Sequence, residues 1–163
     1  LYAVSRTLPA HPYINANLVG DSFRLFRHAN IGLAVDTERG LLVPTLFGAD
    51  TMSLAQIAAA SKEAAERARG GQLTPDEMSG GSFTVTNLGS LGIESFTPVI
   101  NPPQTAILGV CTITNRMRAD GSVYPAMGLS LTFDHRAVDG APAAKFLAQL
   151  CSMLENFQLL LAK

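Results

Sequence analysis

The chain has 163 residues, 47% of them hydrophobic and 15% charged, with a formal net charge of −1. That length and apolar content suit one packed domain and exclude a disordered tail, and a near-zero charge with Lys and Arg in no more than short pairs excludes a nucleic-acid surface or a polybasic membrane anchor. No apolar run approaches membrane-spanning length and no signal-peptide pattern opens the chain. Cys111 and Cys151 sit in apolar periodic stretches without CxxC spacing, so both read as small buried hydrophobes in a reducing, cytosol-like compartment, not as a disulfide or metal ligands.

In chain order, Leu1, Val4 and Leu8 recur at helical spacing until Pro9 stops the pattern, which reads as the tail of a helix whose beginning is absent. "SFRLF" (residues 22–26) alternates as a strand. "ANIGLAVDT" and "GLLVPTLFG" read as two apolar strands joined by the turn "DTERG", with Pro44 marking an edge or a bulge. Ser53 and Gln56 form a capping box ahead of a helix whose apolar face carries Leu54, Ile57, Ala58, Ala65 and Ala68. Its polar face offers i,i+4 charge pairs at 62–66 and 63–67, and Gly70-Gly71 stop it. Thr74-Pro75-Asp76-Glu77 starts a second helix that Gly80-Gly81 keep short.

A strand over residues 82–86, a Gly-rich turn, a Pro-rich segment and a buried strand over residues 105–114 follow. In the last strand, Leu129, Leu131 and Phe133 face one side, with Ser130 and Thr132 on the other. From Asp139 onward, Ala143, Phe146, Leu147, Leu150, Cys151, Leu154 and Phe157 mark a long amphipathic helix. Strands outnumber helices without strict alternation, which predicts a mixed sheet with helices packed on one side, an α/β or α+β layered domain.

The junction of that last strand and helix reads "FDHRAVDGAPAAKFL". His-x-x-x-Asp-Gly arises by chance about 0.01 times in a chain of this composition. His135 follows a strand, and Asp139 opens a helix, where a carboxylate is stabilised by the helix N-terminus. Position alone leaves two readings open: a base with a carboxylate partner, or a polar turn residue followed by an N-cap. His11 and His28 read as structural.

Four stretches carry a resemblance. "FDHRAVDGAPAAKFL", "NIGLAVDTERGLLVP", "GGSFTVTNLGSLG" and "FTPVINPPQTAILGV" resemble, in order and at compatible spacing, the catalytic domain of the dihydrolipoamide acyltransferase (E2) components of 2-oxoacid dehydrogenase complexes. "HPYINANL" resembles the segment before that family's first hairpin. The resemblance covers essentially the whole chain. It implies a chloramphenicol-acetyltransferase-like two-layer sandwich with a mixed sheet and flanking helices. Residues 1–163 are then the catalytic domain, lacking the family's N-terminal segment and its lipoyl and subunit-binding domains.

What the resemblance implies about chemistry is specific. The family passes an acyl group between the thiol of a lipoyl arm, carried on a separate domain, and coenzyme A as substrate. "NLGSLG…FTPVINPPQ" resembles the acetyl-transferring members. His135 matches the general base, Thr86 the hydroxyl that faces the oxyanion, and Asp139 a supporting residue. Asp134 and Arg136 are expected to hold the loop by pairing with each other. Phe96, Asn101 and Pro102 are expected as coenzyme A contacts, and no metal is implied. The family assembles as homotrimers, with His135 and Thr86 contributed to one site by different chains, and the trimers build cubic or dodecahedral cores that bind the other components of the complex. A bacterial cytoplasm or a mitochondrial matrix is the implied location. The alternatives are a non-catalytic trimeric scaffold, or a related coenzyme A-dependent acetyltransferase. Relatives of the latter kind carry a second His where this chain has Asp134.

Overall fold

A computed structural model describes residues 1–161. Its central element is a mixed sheet of five strands in the order β6-β3-β7-β8-β9. These are β3 (Ile31–Leu33), β6 (Thr45–Leu46), β7 (Phe83–Asn87), β8 (Ala106–Met117) and β9 (Val123–Phe133). β3, β7 and β8 run parallel, and β6 and β9 close the two edges antiparallel. Two hairpins stand apart from it: β1 (Ala16–Val19) with β2 (Ser22–Leu25), and β4 (Val35–Thr37) with β5 (Gly40–Leu42).

Each apolar run flanking "DTERG" thus makes two strands instead of one. The break follows from backbone bonding. Leu33 donates its N–H to Pro44 O (2.8 Å) and Ala34 to Val85 O (3.0 Å), after which the chain leaves the sheet for the β4–β5 hairpin. Pro44, without an N–H, stands at the matching break between β5 and β6.

α1 (Tyr2–Thr7), α2 (Leu54–Arg69) and α3 (Gly140–Glu155) lie over one face of the sheet, and α4 (Phe157–Leu161) follows α3. That face is the core. Ile31, Phe83, Val85, Ala106 and Leu108 meet Val4, Leu8, Ile57, Ala143, Phe146 and Leu150, with Leu129, Leu131 and Phe133 at its margin as the alternation required. Phe146 is fully buried, its ring 5.6 Å from that of Phe83 and edge-on to His11 at 5.3 Å. None of the helices among the described residues is long and apolar enough to cross a membrane.

α2 begins on the expected capping box, Ser53 with Gln56. Its buried stripe is Ile57, Ala60, Ala64 and Ala68, whereas Ala58 and Leu54 face out. Of the two charge pairs, Lys62–Glu66 stands at 3.9 Å. Arg67 turns instead to Glu77, donating also to Gln72 O (3.1 Å), because the short 3-10 turn Asp76–Met78 brings that carboxylate back against α2. Cys111 is buried as expected; Cys151 is exposed, since it falls one position outside the α3 stripe of Ala143, Phe146 and Leu150.

Buried polar side chains join the segments that the sheet does not. Asn15, fully buried, donates to Phe26 O (3.0 Å) and His28 O (3.2 Å) and accepts from Ser82 Oγ (2.5 Å). Thr84 Oγ1 donates to Gln104 Oε1 (2.6 Å). Thr105 is also fully buried: its N–H donates to Ala16 O (3.1 Å), its hydroxyl to Tyr13 O (2.7 Å), and its carbonyl accepts from Asp134 N–H (2.8 Å). His11 bonds Gln149 (2.9 Å) and His28 bonds Asp50 (2.9 Å), which makes both structural.

Two predictions follow from this packing. Phe146→Ala leaves a cavity at the centre of the core and should cost about 3–5 kcal/mol, read as a lower midpoint in urea unfolding. Glu77 is held down to about 2 from a usual value of 4.5, chiefly by the Arg67 guanidinium and then by Thr74. A depressed carboxylate stabilises the fold above its unfolded pKa and loses that contribution as pH falls through its folded one. Glu77→Gln should therefore lower Tm at pH 6 and converge with the unaltered protein as pH approaches 2.

Candidate active site

The site grows out of the chain reversal between β9 and α3. Asp134 anchors it three ways. Its N–H donates to Thr105 O, and its carbonyl accepts from Ala137 N–H (2.9 Å) and Val138 N–H (3.0 Å). Its carboxylate accepts from the Arg136 backbone N–H (2.9 Å), Nε (3.0 Å) and Nη2 (2.6 Å). The Arg136 guanidinium keeps the Asp134 carboxyl below the usual carboxylate range, so this fork is fixed as an ion pair at ordinary pH. Val138, 3% exposed, pins the far end of the turn into the core.

His135 rides on this frame with its side chain 73% exposed. Its Nδ1 lies 3.5 Å from Asp139 Oδ1. Asp139 stands at the N-cap position of α3, in extended conformation, yet its side chain makes no cap hydrogen bond. Of the two readings that position alone left open, Asp139 holds the N-cap position without a capping bond, and its carboxylate lies toward the imidazole. Nε2 of His135 makes no protein hydrogen bond among the described residues and is open to a ligand.

Thr86 is half-buried on β7, in register with Gly109 of β8, which pairs with Ser130 of β9. It borders a cleft of about 410 Å³ at the carboxyl ends of β3 and β7, together with Leu33, Val35, Leu41, Ala65, Arg69 and Asn87. Ligand clefts of open parallel sheets occur at this end of the strands. Thr86 and His135 are not neighbours in one copy. Phe133 is three residues along β9 from Ser130, and two strand spacings separate β7 from β9, so His135 lies roughly 15 Å or more from Thr86 at 3.3 Å per residue and 4.8 Å per strand.

The three residues expected at coenzyme A divide between the two ends. Phe96 is half-buried and lays its ring against Gly109, at the Thr86 end. Asn101, half-buried, and Pro102, exposed, sit in the turn before β8, where Asn101 O accepts from Gln104 N–H (3.1 Å), at the His135 end. Two residues of the site were not singled out by sequence. Gly109 is hidden inside an apolar strand run, though a glycine within a buried strand signals a close approach. Thr105 read as an ordinary β-branched strand start. No group of three or more His, Cys, Asp or Glu among the described residues could hold a metal.

Residues 1–162 match the family described as 2-oxoacid dehydrogenases acyltransferase (catalytic domain). The chain is 41% identical over 162 residues to the dihydrolipoyllysine-residue acetyltransferase component of the pyruvate dehydrogenase complex of Cupriavidus necator, covering 98% of this chain and 29% of that protein. It is 42% identical over 157 residues to the dihydrolipoyllysine-residue succinyltransferase component of the 2-oxoglutarate dehydrogenase complex of Azotobacter vinelandii, covering 94% and 39%. The chain thus spans roughly a third of the length of these curated relatives. The dihydrolipoamide acetyltransferase of Azotobacter vinelandii superposes with a TM-score of 0.91 at 38% identity, over 98% of this chain and 68% of that one. The cubic core of the pyruvate dehydrogenase multienzyme complex superposes with the same score at 39% identity and the same coverage. Chloramphenicol acetyltransferase, at 18% identity and a TM-score of 0.59 over 91% of this chain and 72% of that one, shares the fold.

Proposed function

Since the chain belongs to the family of 2-oxoacid dehydrogenase acyltransferase catalytic domains, we propose that residues 1–163 form the catalytic domain of a dihydrolipoamide acyltransferase, which moves an acyl group, acetyl in the first place, between a lipoyl thiol and coenzyme A. The observation that carries this reading is the exposed His135 on a braced turn with the Asp139 carboxylate 3.5 Å from its Nδ1. The Azotobacter acetyltransferase was investigated for the catalytic roles of a serine, a histidine and an asparagine, the last two four positions apart. Here His135 and Asp139 stand four apart, and Thr86 supplies the hydroxyl.

The chemistry follows from ordinary thiol behaviour. A thiol of pKa about 8.5 is mostly protonated at neutral pH, and the thiolate is the nucleophile. His135, neutral, takes the proton of the attacking thiol at Nε2 as sulfur bonds to the thioester carbonyl carbon. The carbonyl oxygen becomes an oxyanion, to which the Thr86 hydroxyl donates. Collapse expels the second sulfur, which receives the proton from the imidazolium. Asp139 faces Nδ1 and orients the ring, leaving Nε2 toward the thiols.

Because Thr86 and His135 lie at different ends of one copy, the working site needs His135 of one subunit against Thr86 of the next. We place the protein in a homotrimer and larger core that binds the other components of its dehydrogenase complex, in a bacterial cytoplasm or a mitochondrial matrix. The lipoyl group belongs to a separate domain.

Thioester exchange between acetyl-CoA and dihydrolipoamide is the test. His135→Gln should lower kcat by about 10²–10⁴, and Thr86→Val by about 10²–10³. Trimeric protein without His135-dependent turnover would be a scaffold and not an enzyme. Subunits of the two variants, each inactive, dissociated and reassembled one to one should recover about a quarter of native activity, since that fraction of head-to-tail interfaces joins an intact His135 to an intact Thr86. A site within one chain would recover none. Asp139→Asn should retain more activity than Asp139→Ala, because the amide oxygen still faces Nδ1.

A further inference from the structure

The face of the sheet opposite the core carries mostly small residues, with Ile107 buried among them. Gly32, Thr84, Thr86, Ile107, Gly109, Ser130 and Thr132 fall on it by strand alternation, against Val85, Leu108, Leu129 and Leu131 on the apolar face. Bulk at its Thr86 level comes from outside the sheet. The ring of Phe96 lies so close over Gly109 that its Cζ, Cε1 and Cε2 stand 2.8, 3.2 and 3.2 Å from where a Cβ on that glycine would be. Any side chain at position 109 would have to displace the ring. Glycine inside a buried strand weakens it, and its presence marks a place where another group approaches closely.

Gly109 and Thr86 are register partners on adjacent strands. Paired residues point to the same face, about 4.8 Å apart, so the ring flanks the Thr86 hydroxyl at one strand's distance. If Thr86 holds the oxyanion, the acyl carbon sits against that hydroxyl and the acyl chain extends from there. Resting on that proposed role, we infer that Phe96 sets the upper size of the acyl group, with Gly109 as the floor that gives the ring its place. A ring with no slack beneath it cannot recede. A two-carbon acyl group fits beside it, and chain extension or branching meets its edge. Phe96 is then a specificity residue at the acyl end, whereas Asn101 and Pro102 lie at the other end of the sheet.

The test is kcat/KM for transfer to dihydrolipoamide from acetyl-, propionyl- and isobutyryl-CoA, with full-length oligomeric protein. One methylene in a shaped pocket is worth about 10–200-fold. The unaltered protein should therefore prefer acetyl over isobutyryl by about 100-fold or more. Phe96→Ala should narrow that ratio by at least about tenfold, and Phe96→Leu by an intermediate factor. The ratio is taken within each variant, so loss of folded protein cancels. If acetyl transfer persists in both variants and the ratio stays within about twofold, Phe96 does not set acyl size, while the acyltransferase reading stands. If the unaltered protein transfers no acyl group in a His135-dependent manner, that reading falls and the inference falls with it.

Discussion

Thr105 is the joint on which the geometry turns. It opens β8, is fully buried, and uses every polar atom it has: N–H to Ala16, hydroxyl to Tyr13, carbonyl from Asp134. Each such bond contributes only about 0.5–1.5 kcal/mol net, but an unpaired buried group costs about 1–3 kcal/mol. The three segments must therefore arrive together. The Asp134 contact places the His135 turn at the start of β8 and makes it part of the sheet's hydrogen-bond pattern instead of a free loop. Val138 and the Arg136 fork then fix the crest on which the imidazole stands.

The sheet divides its labour by face. One face carries Phe83, Val85, Leu108 and their partners into the helices and holds the fold together. The other carries glycine and hydroxyl residues, with the Phe96 ring and the Gln104 amide laid on from the 88–104 segment. Ile107 apart, the strand residues of this face are small, so it adds less hydrophobic stabilisation than the core face, since that term scales with apolar area buried. On the same face the buried Thr132 hydroxyl has no hydrogen-bond partner among the described residues.

On the proposed chemistry, separation of Thr86 from His135 turns assembly into a condition of catalysis. Strand order and register set the gap, so no side-chain rotation closes it. Each copy presents the His135 imidazole at one end of its sheet and the Thr86 hydroxyl at the other. In the proposed homotrimer a head-to-tail ring would complete every such site at once.

Much of this was legible in the linear sequence. Helical periodicity and the Ser53–Gln56 box located α2, strand alternation sorted Leu129, Leu131 and Phe133 from Ser130 and Thr132, and the four-residue step from His135 to Asp139 marked the strand-to-helix junction where the two side chains meet. These are local properties, set by a period of 3.6 or 2 or by a four-residue step. Tertiary structure decided what local pattern cannot carry. It split both apolar runs around "DTERG", because backbone partners came from β7 and from the strand beyond Pro44. It drew Arg67 to Glu77 and away from Glu63, left Cys151 in solvent, and turned Asp139 from a cap to a partner of His135. It seated Phe96 on Gly109 and set Thr86 far from His135. Each of these depends on which distant segment arrives beside a residue, and that is fixed by sheet register and by hydrogen bonds between segments as far as 92 and 138 residues apart.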